Sequence, residues 1–251
     1  MALWRNSVKT KRGIMRAISI TGFKNSGKTT LTLALAQSLK AAGLRVGIVK
    51  HTHHGIDMPQ TDTALFSAVG CTVAAVHAEQ SAVFFPQSTA MHSLLPLLGA
   101  DIVLVEGGKA HGWLPRIMCL RHADEAKDLR PELAVASYGQ AFSKDIPHFS
   151  IEQVDSLAAL VREKSFMLPA LDCGACGCAN CGELAAAIVA GRRNVTDCQA
   201  LPGDITVTVN GQAVGLNPFV ARIMGGALRG MLTELKGVTK GCTVALTVTV
   251  S

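Results

Sequence analysis

Apolar residues in this chain of 251 residues come in two rhythms, short unbroken runs and runs that recur every three to four positions. The unbroken runs at 17–21, 45–50 and 101–107 predict buried strands, because a strand covered on both faces has no polar side to show. Residues 30–40 carry apolar side chains on more than one face and predict a helix, stopped by Gly43. Strand, helix and strand in that order form the βαβ repeat of a doubly wound α/β domain with a mostly parallel sheet. The same reading places a helix at 60–69, strands at 72–76, 82–85, 116–120 and 133–137, and a closing helix at 151–164. Segment 91–98 is short and apolar and is expected to pack on a sheet face.

Beyond a linker at 168–171 the pattern changes. Stretches 205–209 and 212–216 flank Asn210 and Gly211, a strong hairpin signal. Asn217 then caps a helix with Pro218 at its first position, and Phe219, Ile223, Ala227, Met231 and Leu235 recur every four residues as an expected buried stripe. A last strand is expected at 243–250. The resulting division is a basic, disordered leader at 1–15, a nucleotide-domain candidate at 16–166, a cysteine segment at 167–200 and a small ββαβ module at 201–251 suited to docking or oligomer formation.

Charge changes this picture little. The net charge is +6, but Arg5, Lys9, Lys11, Arg12 and Arg16 supply five charges ahead of the first strand with no acid among them. The remainder is close to neutral, which argues against nucleic-acid binding. No apolar run approaches the ~20 residues of a membrane helix, and the leader lacks the apolar core of ~7 to 15 residues of a secretory signal. A soluble, cytoplasmic protein is expected, with Met15 an alternative natural start. Eight cysteines in such a chain point to reduced thiols or metal ligands, and five of them fall within 26 residues.

The chemistry starts between the first strand and the first helix, where GFKNSGKT fits G-x-x-x-x-G-K-[ST] at every specified position. A triphosphate concentrates negative charge, and backbone N–H groups can converge on it without side-chain entropy. Gly22 and Gly27 let the backbone approach, and Lys24, Asn25, Ser26 and Thr30 complete the loop and the dipolar helix start. Lys28 reaches the β and γ phosphates, and the Thr29 hydroxyl ligands Mg²⁺. At the end of the second strand, KHTHHGIDMPQTDT carries His51, His53, His54, Asp57 and Asp62, placed to face a nucleotide crevice. Asp57 and Asp62 are Mg²⁺ candidates or turn and cap acids. The histidines invite a zinc reading, but no ligand set is completed nearby, so nucleotide or partner contact fits better. DIVLVEG ends a central strand in Glu106, the acid a Walker B element needs, and Lys109 follows in the loop. No N-K-x-D tetrapeptide selects guanine, so GTP and ATP both remain open by motif.

GFKNSGKTTL, VGIVKHTHHGIDMPQTDT and DIVLVEGGK together resemble the molybdopterin-guanine dinucleotide biosynthesis protein B (MobB) family over residues 16–164. The resemblance implies a homodimeric P-loop protein that binds Mg·GTP, hydrolyses it weakly at most, and assists the guanylyltransferase that attaches GMP to molybdopterin. It assigns Gly22, Gly27, Lys28 and Thr29 to phosphate and metal, and Asp57, Asp62 and Glu106 to the metal side; Lys28 and Glu106 are the catalytic candidates. Gly108 stands where that family commonly has a bulky aromatic.

Cys173, Cys176, Cys181 and Cys198 have the spacing C-x2-C-x4-C-x16-C, with a helix at 182–190 ended by Gly191 bringing the fourth back to the loop. This suits the corners of a [4Fe-4S] cluster better than a zinc ribbon, although four thiolates would also hold Zn²⁺. The segment resembles the small [4Fe-4S] domain of corrinoid proteins and some redox accessory proteins. Cys178 is surplus or an alternative ligand, and isolated Cys71, Cys119 and Cys242 are expected in the core. The combined expectation is a GTP-binding accessory factor of molybdenum cofactor maturation, working with the guanylyltransferase and molybdoenzyme maturation factors. A nucleotide-dependent metal-insertion chaperone and a redox-sensing adapter are the alternatives.

Overall fold

β1 (Arg16–Gly22) is buried at every residue after Arg16, and the sheet is assembled around it. The computed structural model describes residues 16–52, 55–56, 60–141, 145–201, 207–209, 212–214 and 218–238. The leader, His53, His54, Asp57, Asn210, Gly211, Asn217, Cys242 and the strand expected at 243–250 lie outside the described residues.

After β1 come α1 (Lys28–Ala41), β2 (Val46–Lys50), α2 (Asp62–Ala68), the strands β3 (Val73–Val76) and β4 (Ser81–Phe84), and the short α3 (Met91–Leu94). Then follow β5 (Ile102–Glu106), β6 (Arg116–Leu120), β7 (Ala134–Gly139), β8 (His148–Phe149) and α4 (Val154–Lys164). Six strands form one sheet in the order β2-β5-β1-β6-β7-β8. Every neighbouring pair in it is parallel. β5 and β6 are buried at all five positions, the burial their unbroken apolar runs predict for central strands. β8 is a two-residue edge strand that the hydrophobic pattern did not announce.

Alternation along the strands sorts the core onto two faces. Ile18, Ile20, Ile102, Leu104 and Ile117 meet Leu31, Leu35 and Leu39 of α1 and Leu157 and Val161 of α4. Ala17, Val103 and Val105 point the other way, to Leu95 and Leu114. Leu31, Leu35 and Leu39 are fully buried, each contributing about 1.5–3 kcal/mol by leaving water. Segment 91–98 meets its expectation in part, since Leu95 is buried while Leu97 is 70% exposed.

The chain divides into two units, Met1–Cys198 and Gln199–Ser251. The first includes the cysteine segment, whose helix α5 (Cys181–Val189) buries Leu184 and Ala185. The second holds the antiparallel pair β9 (Val207–Val209) and β10 (Gln212–Val214) and the helix α6 (Pro218–Thr233). Two expectations need correction. Ile223, Met231 and Leu235 are exposed, because a four-residue period creates an apolar face without ensuring that anything covers it. Cys71 is also exposed, following a helix none of whose residues is buried, whereas Cys119 lies fully in the core.

Candidate functional site

Gly22 closes β1 and is required there: a Cβ on it would stand 2.5 Å from the Cys119 carbonyl oxygen of the neighbouring strand. The chain then turns through Asn25 (φ 60°) and Gly27 (φ 83°), both left-handed, and Gly27 is the N-cap of α1. Such alternation turns successive N–H groups inward and opens an anion nest at the positive end of a helix. Lys24, Asn25, Thr29 and Thr30 are exposed and Lys28 is half-buried. The Ser26 hydroxyl is buried in the loop with no hydrogen-bond partner among the described residues, leaving it able to bond a ligand. Lys28 Nζ donates to the Phe23 carbonyl at 2.5 Å, and Thr32 Oγ1 donates to the Lys28 carbonyl at 2.8 Å.

Glu106, at the carboxyl end of β5, is 8% exposed and meets this loop directly. Thr29 Oγ1 donates to its Oε1 at 3.0 Å, and Lys50 Nζ pairs with the same oxygen at 2.8 Å. The register of β2 on β5 sets Lys50 beside Glu106. A hydroxyl and a carboxylate in contact at the start of a phosphate-loop helix are the donor set that Mg²⁺ takes alongside nucleotide oxygens, so these residues fit the metal. Asp62 does not join them. It is exposed in the first turn of α2, where it complements the helix dipole beside the Thr61 cap.

The loop after Glu106 is built with care. Gly107 (φ 91°) and Gly108 (φ 67°) are consecutive left-handed residues, and they turn the chain back toward the phosphate loop. A side chain at Gly108 would run into the His111 ring, so an aromatic there is excluded while His111 keeps its place. Lys109 Nζ lies 3.4 Å above the centroid of the Phe23 ring. Burial, and then the nearby Lys28 ammonium, lower its pKa. Arg116 is fully buried and donates to the carbonyls of Leu129 at 2.8 Å, His111 at 2.7 Å and Lys109 at 3.3 Å. Burial pushes its pKa down to about 10. His111 stacks edge-on against His51 at 5.8 Å, and burial followed by His51 and Arg116 lowers its pKa. Lys50, His111 and Arg116 were not singled out by sequence reasoning; only their proximity to strand ends hinted at a role.

The cysteine segment is attached to this same loop. Leu168 N–H donates to the Trp113 carbonyl at 3.3 Å. A Cβ on Gly182 would meet Arg130 Nη2 at 3.1 Å and the Gly112 carbonyl at 3.5 Å, so the start of α5 lies against loop 107–113. Cys173 is exposed, Cys176 half-buried, and Cys178, Cys181 and Cys198 are buried. Asp172 and the glycines Gly174 and Gly177 have positive φ, and Asp172 Oδ1 accepts from Cys181 N–H at 2.6 Å. Burial first, then a hydrogen bond with Cys176, raise the Cys178 thiol pKa. Burial likewise raises that of Cys181. Among the described residues no three His, Cys, Asp or Glu side chains converge closely enough to hold an ion. The donor chemistry of the four thiols fits a thiolate-bound cluster.

The parallel sheet, the loop at the end of β1 and the acid at the end of β5 define a protein of the P-loop nucleotide-binding class. Comparison with known proteins narrows this. The family model "Molybdopterin guanine dinucleotide synthesis protein B" (MobB) matches residues 17–137, and the model "Putative Fe-S cluster" matches residues 168–200. The "Molybdopterin-guanine dinucleotide biosynthesis adapter protein" of Escherichia coli is 29% identical over 58% of this chain and 91% of its own. A Bacillus subtilis relative, "Probable molybdopterin-guanine dinucleotide biosynthesis adapter protein", is 31% identical over 45% of this chain and 69% of its own. A Methanocaldococcus jannaschii chain of the same description, there prefixed "Putative", is 28% identical over 94% of this chain and 99% of its own. Among solved structures, a MobB protein homolog from Bacillus stearothermophilus is 25% identical over 59% of this chain and 98% of its own, with a TM-score of 0.46. The chain belongs to the MobB family.

Proposed function

We propose that this protein is a Mg·GTP-binding adapter of molybdopterin-guanine dinucleotide biosynthesis that carries an iron-sulfur module. The observation that carries the nucleotide half is the 3.0 Å contact between Thr29 and Glu106 at the start of the phosphate-loop helix. Thr29 and Glu106 would hold Mg²⁺, directly or through its water, and the ion would supply positive charge against the phosphates. Lys28 leaves the Phe23 carbonyl for a phosphate oxygen, a stronger acceptor for an ammonium. Glu106, paired with Lys50 at 2.8 Å, would be the carboxylate on the metal side. Phosphoryl transfer asks for positioning and charge stabilisation, and Lys28 and Glu106 provide both, with hydrolysis slow and serving to reset a conformation. Asp57 is the further acid assigned to the metal side, while Asp62 complements the dipole of α2.

The names of the relatives support the adapter role, in which the chain works beside the guanylyltransferase and molybdoenzyme maturation factors. We place a homodimer interface on α2 and the β3–β4 pair, where Leu65, Phe66, Val69, Val76 and Val83 are all exposed. Cys173, Cys176, Cys181 and Cys198 hold the cluster, a [4Fe-4S] centre that adds a one-electron couple or a structural brace, with Zn²⁺ the alternative occupant. Titration with fluorescent GTP tests the reading. Wild-type protein binds only weakly without Mg²⁺, and Thr29→Ala removes most of the gain that Mg²⁺ gives. Equal binding with and without Mg²⁺ in the wild type would remove the basis for the Thr29 and Glu106 assignment.

A further inference from the structure

Two ammonium groups share one residue of the phosphate loop. Lys28 Nζ is held on the carbonyl oxygen of Phe23, and Lys109 Nζ is held on the face of the Phe23 ring. A solvated lysine would extend into water, where its charge is best hydrated. Lys109 instead gives up part of its hydration, and it does so near a like charge that penalises it. A protein gains from bringing two cations together when an anion is to join them.

The backbone is arranged to keep Lys109 there. Gly107 and Gly108 reverse the chain straight after Glu106, and fully buried Arg116 fixes the carbonyls of Lys109 and His111. Burying a guanidinium is costly unless its donors are satisfied, so the loop is secured by an expensive clamp. Lys109 also enters from a definite side. It follows Glu106 by three residues, and Glu106 touches Thr29, the residue placed for the metal. Lys28, the residue that reaches the β and γ phosphates in such loops, shares Phe23 with Lys109, so a side chain arriving from the Glu106 loop meets the phosphate furthest from the base.

We propose that Lys109 reads the terminal phosphate of a bound nucleoside triphosphate, leaving the Phe23 ring to contact it, and so distinguishes triphosphate from diphosphate. The inference rests on the nucleotide-binding reading above and extends it to a second cation. Lys28 serves both nucleotides, since its contact with the β phosphate survives loss of the γ. Lys109 serves only the triphosphate. Its backbone joins the Arg116 clamp, and through Gly112 and Arg130 it continues to the start of the cysteine helix, so reading of the γ phosphate occurs on the segment that touches the thiol module.

The test is calorimetry on the full chain with Mg²⁺, comparing GTP with GDP and ATP with ADP, for wild type, Lys109→Met and Lys109→Arg. Lys109→Met is expected to weaken triphosphate binding by about tenfold or more, one charged contact's worth, and to change diphosphate binding less than about twofold. Lys109→Arg keeps most of the selectivity. Unchanged triphosphate affinity in Lys109→Met, or an equal loss for both nucleotides, would overturn the proposal while leaving the nucleotide-binding reading intact. If the wild type takes up none of the four nucleotides, this proposal and the reading beneath it both fall. Thermal melting of each variant separates loss of a contact from loss of fold.

Discussion

Gly22 shows how local the phosphate loop is. Its need for glycine comes from the Cys119 carbonyl across the sheet, yet the motif announced it without knowledge of β6. Gly22→Ala should force that strand pair apart and abolish nucleotide uptake, which a binding titration with a folding control by circular dichroism would check. Glu106 was equally legible as the acid that ends an aliphatic run. Lys50 was not, because its pairing with Glu106 exists only once β2 lies in register beside β5, 56 residues further along. His111 makes a pH prediction. Its folded pKa lies below the ordinary 6.5, so the unfolded chain takes up the proton first. The stability it contributes is complete above 6.5 and is lost progressively as pH falls below that value. His111→Asn should flatten this part of the profile, measured as melting temperature against pH, although other histidines will leave a residual slope.

At the scale of elements, unbroken apolar runs predicted central strands well because burial on both faces leaves a simple pattern. Helix α1 is held by Leu31, Leu35 and Leu39 against Ile18 and Ile20. Leu35→Ala should cost about 2–5 kcal/mol in urea unfolding, the range for a well-packed leucine. Periodicity misled where it was asked about partners. The face of α6 that carries Ile223 and Met231 is amphipathic in sequence and exposed in its unit, since helical period encodes a face and not what covers it. Exposure on α2 and the β3–β4 pair has the same origin, and there a second copy of the chain is the proposed cover. Phe66→Asp should shift the protein toward monomer in analytical ultracentrifugation while nucleotide affinity changes little.

For the whole molecule, the feature the sequence could not disclose is the attachment of the cysteine segment to the loop that follows Glu106. Motif reading treated the two as separate modules. The structure joins them through Arg130 between Gly112 and Gly182, and through the bond from Leu168 to the Trp113 carbonyl. Such contacts depend on long-range packing and leave no spacing signature. Cluster capture has a proton cost, because burial holds the ligand thiol of Cys181 in its protonated form. Anaerobic reconstitution should therefore proceed further at pH 8 than at pH 6, followed by visible absorbance with iron and sulfide analysis. Zinc at one equivalent without sulfide would assign the thiols to Zn²⁺ instead.

The account depends most on the loop at residues 22–29 holding a magnesium-complexed polyphosphate. Isothermal calorimetry of the intact protein with GTP, in the presence and absence of Mg²⁺, measures this directly. Saturable uptake that needs Mg²⁺ and disappears in Lys28→Ala is the predicted result. A folded wild-type protein that releases no heat and shows no competition with fluorescent nucleotide would contradict it.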